Sequence, residues 1–330
     1  MDSVALESGP ISDVMELTGG TQNILLRFRR GNREFVLRRP PHHPRPLSNR
    51  IMAREARLLA AFAQTGVPHP ALIASCLDET VLGAVFYLME PVEGFSATVA
   101  LSEPARTTGT VRHRMGIEMV DGLAALAAVD IEAAGLGDFG KLDGFLERQV
   151  DRWASELAGY TRFSEWSGLR ELGEVENVGA WLADNCPSTM SPAIIHGDYH
   201  IGNVIFTPEG CLAAIVDWEM ATLGDPLLDF SRLLAGWPDA GQPQPYTMRV
   251  ERYDGFPTRE ELIIRYAERT GRDLVHLPWF EALSCYKIGI ILEGSYARAQ
   301  AGLADTTTGQ RLHLLAVAFL ERARSIVDRC

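Results

Sequence analysis

An α+β chain, with a smaller β-rich region and a larger helical one, is the fold class this sequence predicts. Two patterns carry that prediction. Between about Leu17 and Val92 the apolar residues come in short strand-like runs around a single helical pattern. Past Gly94 they fall at helical spacing in six long segments. The 330 residues are enough for two lobes with a substantial core. The break belongs near Pro91-Val92-Glu93-Gly94, giving one region over residues 1–92 and another over 93–330.

The first region is legible element by element. Ile24-Leu25-Leu26-Arg27-Phe28 and Arg33-Glu34-Phe35-Val36-Leu37-Arg38 read as strands flanking Arg29-Arg30-Gly31-Asn32, a hairpin turn. A Pro- and His-rich loop follows, Pro40-Pro41-His42-His43-Pro44-Arg45-Pro46. Ser48 or Asn49 then caps a helix ending near Gly66, with Pro68 beyond it. Val85-Phe86-Tyr87-Leu88-Met89 is a further strand. The stretch Thr18-Gly19-Gly20-Thr21-Gln22-Asn23 has two readings, a plain turn or a loop whose glycines let backbone N–H groups approach a phosphate.

Helices are expected over about Ala105–Ala128, Leu142–Leu157, Glu171–Asn185, Glu260–Thr270, Trp279–Ala301 and Arg311–Asp328. Between the third and fourth lies the densest chemistry in the chain. Ala193-Ile194-Ile195 is an apolar run ending at His196. Val204-Ile205-Phe206 and Leu212-Ala213-Ala214-Ile215-Val216 read as strands joined by the turn Thr207-Pro208-Glu209-Gly210. That hairpin brings Asn203 and Asp217 to its open end, where two oxygen ligands suit a hard cation. Asp225 followed by Pro226 is a helix-start signal. Asp225 and Asp229 read as braces, and His196 as a structural group inside the loop. His200 either lines a cleft or caps the loop.

His196-Gly197-Asp198-Tyr199-His200-Ile201-Gly202-Asn203 has the frame H-x-D-x-x-x-x-N, with Asp217-Trp218-Glu219 after it. A carboxylate to align an attacking hydroxyl, and an amide and a second carboxylate to hold magnesium, are the parts phosphoryl transfer needs. Any one of these residues alone would more simply be a strand cap on a surface hairpin. A second signal lies upstream. Glu55 falls on the apolar stripe of Ile51, Leu58, Leu59 and Phe62, where a carboxylate is costly unless paired. Arg38 at the end of its strand is the natural partner; the alternative is a stripe-edge Glu55 paired with an exposed arginine.

Composition narrows the class. Hydrophobic residues at 46% fit a folded globular chain, and a net charge of −12 argues against nonspecific binding to nucleic acid or anionic membrane. The five cysteines, Cys76, Cys186, Cys211, Cys285 and Cys330, show no C-x-x-C spacing, which disfavours a disulfide framework or zinc site. Met1-Asp2-Ser3-Val4 shows no signal peptide, and no apolar run has membrane-spanning length. A cytoplasmic protein is expected.

The quoted motifs resemble those of the aminoglycoside phosphotransferase, or phosphotransferase enzyme, family. Within it the chain is most similar to the kinase-like domains found alone in bacteria or fused to acyl-CoA dehydrogenases in some eukaryotes. Val36-Leu37-Arg38-Arg39-Pro40-Pro41, Phe86-Tyr87-Leu88-Met89-Glu90, Pro257-Thr258-Arg259-Glu260-Glu261-Leu262 and Tyr286-Lys287-Ile288-Gly289-Ile290-Ile291-Leu292-Glu293-Gly294 complete the match. The resemblance implies a bilobal protein-kinase-like fold using ATP or GTP and Mg2+. It implies Asp198 as the catalytic carboxylate and Asn203 and Asp217 as metal ligands. Glu90 and Val92 then supply backbone contacts to adenine, and Gly20 and Thr21 belong to the phosphate loop. Arg38, paired with Glu55, stands where most kinases have lysine, and Gln22 stands where relatives often have serine. The implied acceptor is a small hydroxylated molecule, either a hydroxyacyl-CoA or hydroxy acid, or an aminoglycoside. A non-catalytic nucleotide-binding protein is the alternative class. Trp279, Tyr286 and Glu293 are expected to wall the acceptor pocket.

Overall fold

A computed structural model describes residues 6, 8–17, 23–44, 46–237 and 250–330. The first region is an antiparallel sheet of five strands with one helix against it. The strands are β1 (Ile11–Glu16), β2 (Ile24–Arg30), β3 (Arg33–Arg39), β4 (Leu72–Cys76) and β5 (Phe86–Met89), in the order β1-β2-β3-β5-β4. Strand alternation decides what β3 presents on each face. Phe35 and Leu37 join Phe28 and Leu88 on the outer face, where Phe28 and Phe35 stack at 5.5 Å. Val36 and Arg38 turn the other way, Val36 entering the main core.

The β2–β3 hairpin is tighter than expected. Both strands run on, so that Arg30 pairs with Arg33 and only Gly31 and Asn32 remain as the turn. β1 and β4 are additions to the sequence reading. β1 is exposed along all six residues and lacks a buried face to pattern it. It is an edge strand with a register shift between Ser12 and Met15, around Asp13 at φ 53°.

Helix α1 (Ser48–Phe62) starts without the expected cap: Leu47 holds the N-cap position and no side chain bonds there. Asn49 instead accepts the Val85 N–H at 3.1 Å, tying the helix start to the approach to β5. The helix stops at Phe62 rather than near Gly66, because the Thr65 N–H and hydroxyl both donate to the Phe62 carbonyl at 2.9 Å. A four-residue helix, α2 (Glu79–Leu82), precedes β5.

The second region is mainly helical. The helix expected over 105–128 is two, α3 (Glu103–Thr107) and α4 (Gly109–Ala127). Ser102 caps α3 through the Ala105 N–H, and Thr108 is extended between the two. α5 (Phe145–Ala158) and α6 (Val175–Asp184) follow, then the short strands β6 (Ala193–Ile195), β7 (Val204–Phe206), β8 (Leu212–Ile215) and β9 (Thr222–Gly224). β6 pairs with β9 and β7 with β8, so two ladders bracket residues 196–203. Helices α7 (Leu227–Ala235), α8 (Arg259–Thr270), α9 (Leu277–Gln300) and α10 (Thr306–Val327) complete the chain. α9 is buried on nearly every side and packs against α5, α6, α7 and α10.

Contacts beside and across the boundary fasten the regions together, among them the α1 arginines Arg54, bonded to the Phe139 carbonyl at 2.8 Å, and Arg57, bonded to the Gly135 carbonyl at 2.6 Å. Phe95 and Phe206 exchange backbone hydrogen bonds at 2.8 and 2.9 Å. The Ile215 N–H donates to the Pro68 carbonyl at 2.9 Å, and the Phe62 ring meets Trp218 at 4.9 Å. Gly94 is essential to the Phe95–Phe206 contact. Its φ is +151°, and a Cβ there would lie 2.3 Å from the Phe206 carbonyl oxygen. No helix among the described residues is long and apolar enough to cross a membrane.

Candidate active site

The loop from His196 to Asn203 is held by side chains from elements on every side of it. Asp229, in the first turn of α7, accepts the His196 N–H at 2.5 Å and the Gly197 N–H at 2.8 Å. The fully buried His196 ring has one consistent tautomer. Its Nε2 donates to the Val216 carbonyl at 2.9 Å, and its Nδ1 accepts the Asp198 N–H at 3.3 Å. Gly197 has φ +86°, and a Cβ would stand 2.6 Å from the Met220 carbonyl oxygen, so the loop closes on the segment after Asp217 only with glycine here. Asp225 accepts the Leu227 N–H at 2.9 Å and so caps the start of α7.

Asp198 emerges from this scaffold with its oxygens on two different partners. Arg232 Nε donates to Oδ1 at 2.8 Å, and His200 Nε2 stands 3.3 Å from Oδ2. His200 Nδ1 accepts the Gly202 N–H at 3.0 Å, which leaves the proton on Nε2. This places His200 both in the loop and against Asp198. Burial would raise the Asp198 carboxyl, but Arg232, His200 and Lys287 override it and hold the group well below the usual carboxylate range. Burial and the Arg232 charge push His200 down, so it faces Asp198 as a neutral donor. Lys287 Nζ, from α9, donates to the Gly197 carbonyl at 2.8 Å. Burial pushes this ammonium down to about 8 against the pull of Asp198.

Asn203 and Asp217 meet at the open end of the β7–β8 hairpin. The Val216 N–H donates to the Asn203 carbonyl at 2.9 Å. Asn203 Nδ2 donates to the Asp198 carbonyl at 3.0 Å, which fixes the amide and leaves Oδ1 as its free oxygen. Asp217 is in the left-handed region at φ 69°, one of two such non-glycine residues described, at a cost of about 1–2 kcal/mol. One carboxylate and one oriented amide oxygen suit magnesium carried on phosphate, which takes few protein ligands. Among the described residues no three His, Cys, Asp or Glu side chains form a metal cage.

Arg38 joins this centre to α1. Its Nη2 donates to Asp217 Oδ1 at 2.7 Å and to Glu55 Oε1 at 3.2 Å, and Tyr87 lies 3.5 Å from Glu55 Oε2. Burial drives the Glu55 carboxyl upward against the pull of Arg38. Burial opposes the charge on Arg38, yet Glu55, Tyr87 and Asp217 together raise it, so the guanidinium stays charged. Its Nε is buried without a partner.

Two cavities flank the loop. One, of about 350 Å³, lies beneath the sheet and is lined by Val36, Arg38, Met89, Val92, Asn203 and Asp217, among others. Glu90 also lines it, and its carboxylate pairs with Arg33 at 2.8 Å. Gly20 and Thr21 lie outside the described residues. The other cavity, of about 290 Å³, is bounded by Gly197, Arg232, Lys287 and residues of α5.

A model of the "Phosphotransferase enzyme family" matches residues 13–262. This chain belongs to that family. Asp198, Asn203 and Asp217 fall inside the matched span of the phosphotransferase-family chain, whereas Lys287 lies beyond it. Acyl-CoA dehydrogenase family member 10 of Mus musculus is 30% identical over 96% of this chain but only 29% of its own length. Family member 11 of Rattus norvegicus is 30% identical over 88% of this chain and 37% of its own length. The chain thus spans roughly a third of these curated relatives. Among solved structures, a Ralstonia eutropha protein provisionally named an aminoglycoside phosphotransferase superposes with TM-score 0.80 at 28% identity, covering 98% of this chain and 95% of that one. An aminoglycoside phosphotransferase solved with AMP-PNP and hygromycin B has TM-score 0.62 at 16% identity, covering 96% and 95%, a likeness of fold. The bilobal, kinase-like α+β architecture is therefore established.

One expectation fails. Trp279, Tyr286 and Glu293 do not line the cavity beside Gly197. All three are core residues: Trp279 donates to the Leu182 carbonyl at 3.0 Å, and Glu293 bonds Trp166 at 2.6 Å and His313 at 2.7 Å. They recur every seven residues on one stripe of α9, while Leu283, Ser284 and Lys287 face the cavity roughly 100° around the helix. Two residues were not foreseen. Arg232 shares a helix face with Asp229 three residues earlier, which was the available clue. Lys287 is one of only two lysines in the chain and breaks an apolar run, an equally readable signal.

Proposed function

We propose that this chain is a nucleotide- and magnesium-dependent kinase that phosphorylates a hydroxyl of a small molecule, a hydroxy acid or its coenzyme A thioester. The observation that carries the reading is one loop holding an ionised Asp198 beside an oriented Asn203 amide, with Asp217 facing it across the hairpin. The lobe boundary is set at residues 92 and 93. The nucleotide occupies the cavity beneath the sheet, with the Glu90 and Val92 backbone toward the base and Arg38 toward the phosphates. Glu55 keeps Arg38 in place. Asn203 and Asp217 hold magnesium, which when bound neutralises charge on the transferring phosphate.

The acceptor enters on the other side of the loop. Asp198 accepts a hydrogen bond from its hydroxyl and aligns it. So strongly ionised a carboxylate is a weak base, so it takes the proton only as the new ester bond forms. His200 and Arg232 fix the two oxygens of Asp198, and Lys287 fixes the preceding carbonyl. The thioester version draws on the acyl-CoA dehydrogenase names of the relatives. An aminoglycoside acceptor draws on the names of the structural neighbours, and a cation-lined cavity beside Asp198 opposes it.

The test is calorimetry of ATP and GTP with magnesium and with excess chelator, followed by a phosphorylation screen over hydroxylated metabolites. Tighter nucleotide binding with magnesium, and turnover that disappears in Asp198→Ala, are expected. Equal affinity with and without the metal would remove the assignment of Asn203 and Asp217.

A further inference from the structure

The cavity beside Gly197 has a charge that the rest of the molecule does not predict. The chain carries a net −12, yet this cavity is lined by Lys141, Arg148, Arg152, Arg232 and Lys287 and by no carboxylate. Both lysines of the chain are among them. A cluster of like charges on one wall is unfavourable unless something of opposite sign is present or arrives. Asp198 answers for Arg232, and in part for Lys287. Nothing described answers for the others. Arg148 spends Nη2 on the Lys141 carbonyl at 2.7 Å, and among the described residues neither arginine of α5 nor Lys141 is in an ion pair.

Two further atoms point the same way. Arg232, only 7% exposed, has a buried Nη1 with no hydrogen-bond partner. Trp153, 5% exposed, has a buried indole N–H in the same condition, and its ring has the Arg152 guanidinium at 4.8 Å and Lys287 Nζ at 5.5 Å. Buried donors are rarely left unmatched, since each costs about 1–3 kcal/mol. Both residues line one cavity, whose wall carries five cations and no carboxylate, and its neutral side chains Gln149, Thr222 and Ser284 can donate as well. An acceptor-only group, an anionic oxygen cluster, satisfies it.

We infer that this cavity is an anion-recognition subsite. It takes the carboxylate or phosphate of the acceptor on Arg148, Arg152 and Lys287 while the hydroxyl of the same molecule reaches Asp198. This deepens the kinase reading and rests on it. The two arginines sit one turn apart on α5, at i and i+4, so both reach the same space. Arg232 couples the subsite to the catalytic carboxylate, because it lines the cavity and bonds Asp198 at 2.8 Å. The same wall repels a polycation.

The experiment compares, as acceptors, short-chain hydroxy acids, their methyl esters, their coenzyme A thioesters and an aminoglycoside panel. Arg148→Ala, Arg152→Ala and Arg152→Glu are then measured against the best acceptor. Nucleotide affinity in the presence of magnesium is recorded for each protein. The expected result is preference for an acid or thioester over the ester by about tenfold or more, as losing a charge-assisted contact implies. Each alanine variant should raise acceptor KM by about tenfold, and the glutamate variant by more, with nucleotide affinity unchanged. Preference for the free acid identifies a carboxylate as the bound group, and activity on the thioester alone identifies the carrier's phosphates. Esters or aminoglycosides phosphorylated as well as the acids, with magnesium-dependent nucleotide binding intact, would overturn the anion subsite and leave the kinase reading standing. Loss of that nucleotide dependence would instead overturn the kinase reading beneath it.

Discussion

Asp198 sits among three cationic or donor groups, and its replacement should separate chemistry from binding. Asp198→Ala is expected to lower turnover by roughly a hundredfold or more while nucleotide affinity stays near wild type. Single-turnover kinetics with calorimetry would check this, and near wild-type turnover would remove Asp198 from its role. Acid stability gives a second readout. The folded-state carboxyl is depressed, so its contribution is present above the ordinary carboxylate pKa, about 4, and is lost as pH falls below it. Asp198→Asn should therefore flatten the acid limb of a urea-midpoint-against-pH curve. Arg38 and Glu55 make a different prediction. Both are buried; removing Arg38 strands Glu55, and removing Glu55 leaves Arg38 with Asp217 alone, so the double variant should be less damaged than the sum of the singles. Additive losses in a double-mutant cycle would show that the pair carries no coupling.

At the scale of elements, what was legible in the sequence was what local chemistry determines. The β7–β8 hairpin followed from apolar runs around Thr207-Pro208-Glu209-Gly210, and the Gly210 N–H closes that turn on the Thr207 carbonyl at 2.9 Å. Glu55 was readable as a misfit on its helix. The edge strand β1 was not, because it buries no face. The start of α1 was misread because Asn49 has a tertiary partner, and no local pattern shows a bond to Val85 36 residues away. Asn49→Ala is accordingly expected to cost about 1–2 kcal/mol by freeing the Val85 N–H, against a few tenths for an exposed helix position. Chemical denaturation would measure it. Arg232 and Lys287 reach the loop across 34 and 90 residues, and only folding brings them there.

For the whole molecule, the two regions share one hydrophobic core and are joined by polar contacts from α1, and a few fixed points at the boundary set how one sits on the other. Gly94 is the most exacting. Gly94→Ala should lower stability by about 1–3 kcal/mol through backbone strain and the displaced Phe95–Phe206 bridge, and it should weaken nucleotide binding by moving the sheet over the cleft. A loss of stability with untouched nucleotide affinity would mean that the bridge does not set the cleft. The family match and the superposition establish the architecture around these points.

The scarcity of lysine has a practical consequence. Apart from the chain's amino terminus, the only primary amines are Lys141, exposed at the cavity rim, and Lys287, whose ammonium begins to lose its proton near pH 8. Reagents that elsewhere scatter over a protein surface become site-directed on this one. A succinimidyl dye applied at mildly alkaline pH would place its label, besides the amino terminus, on Lys141 at the rim of the cavity beside Asp198. Surface coupling through amines would tether the molecule by the same face. Lysine acylation by activated thioesters would fall there as well.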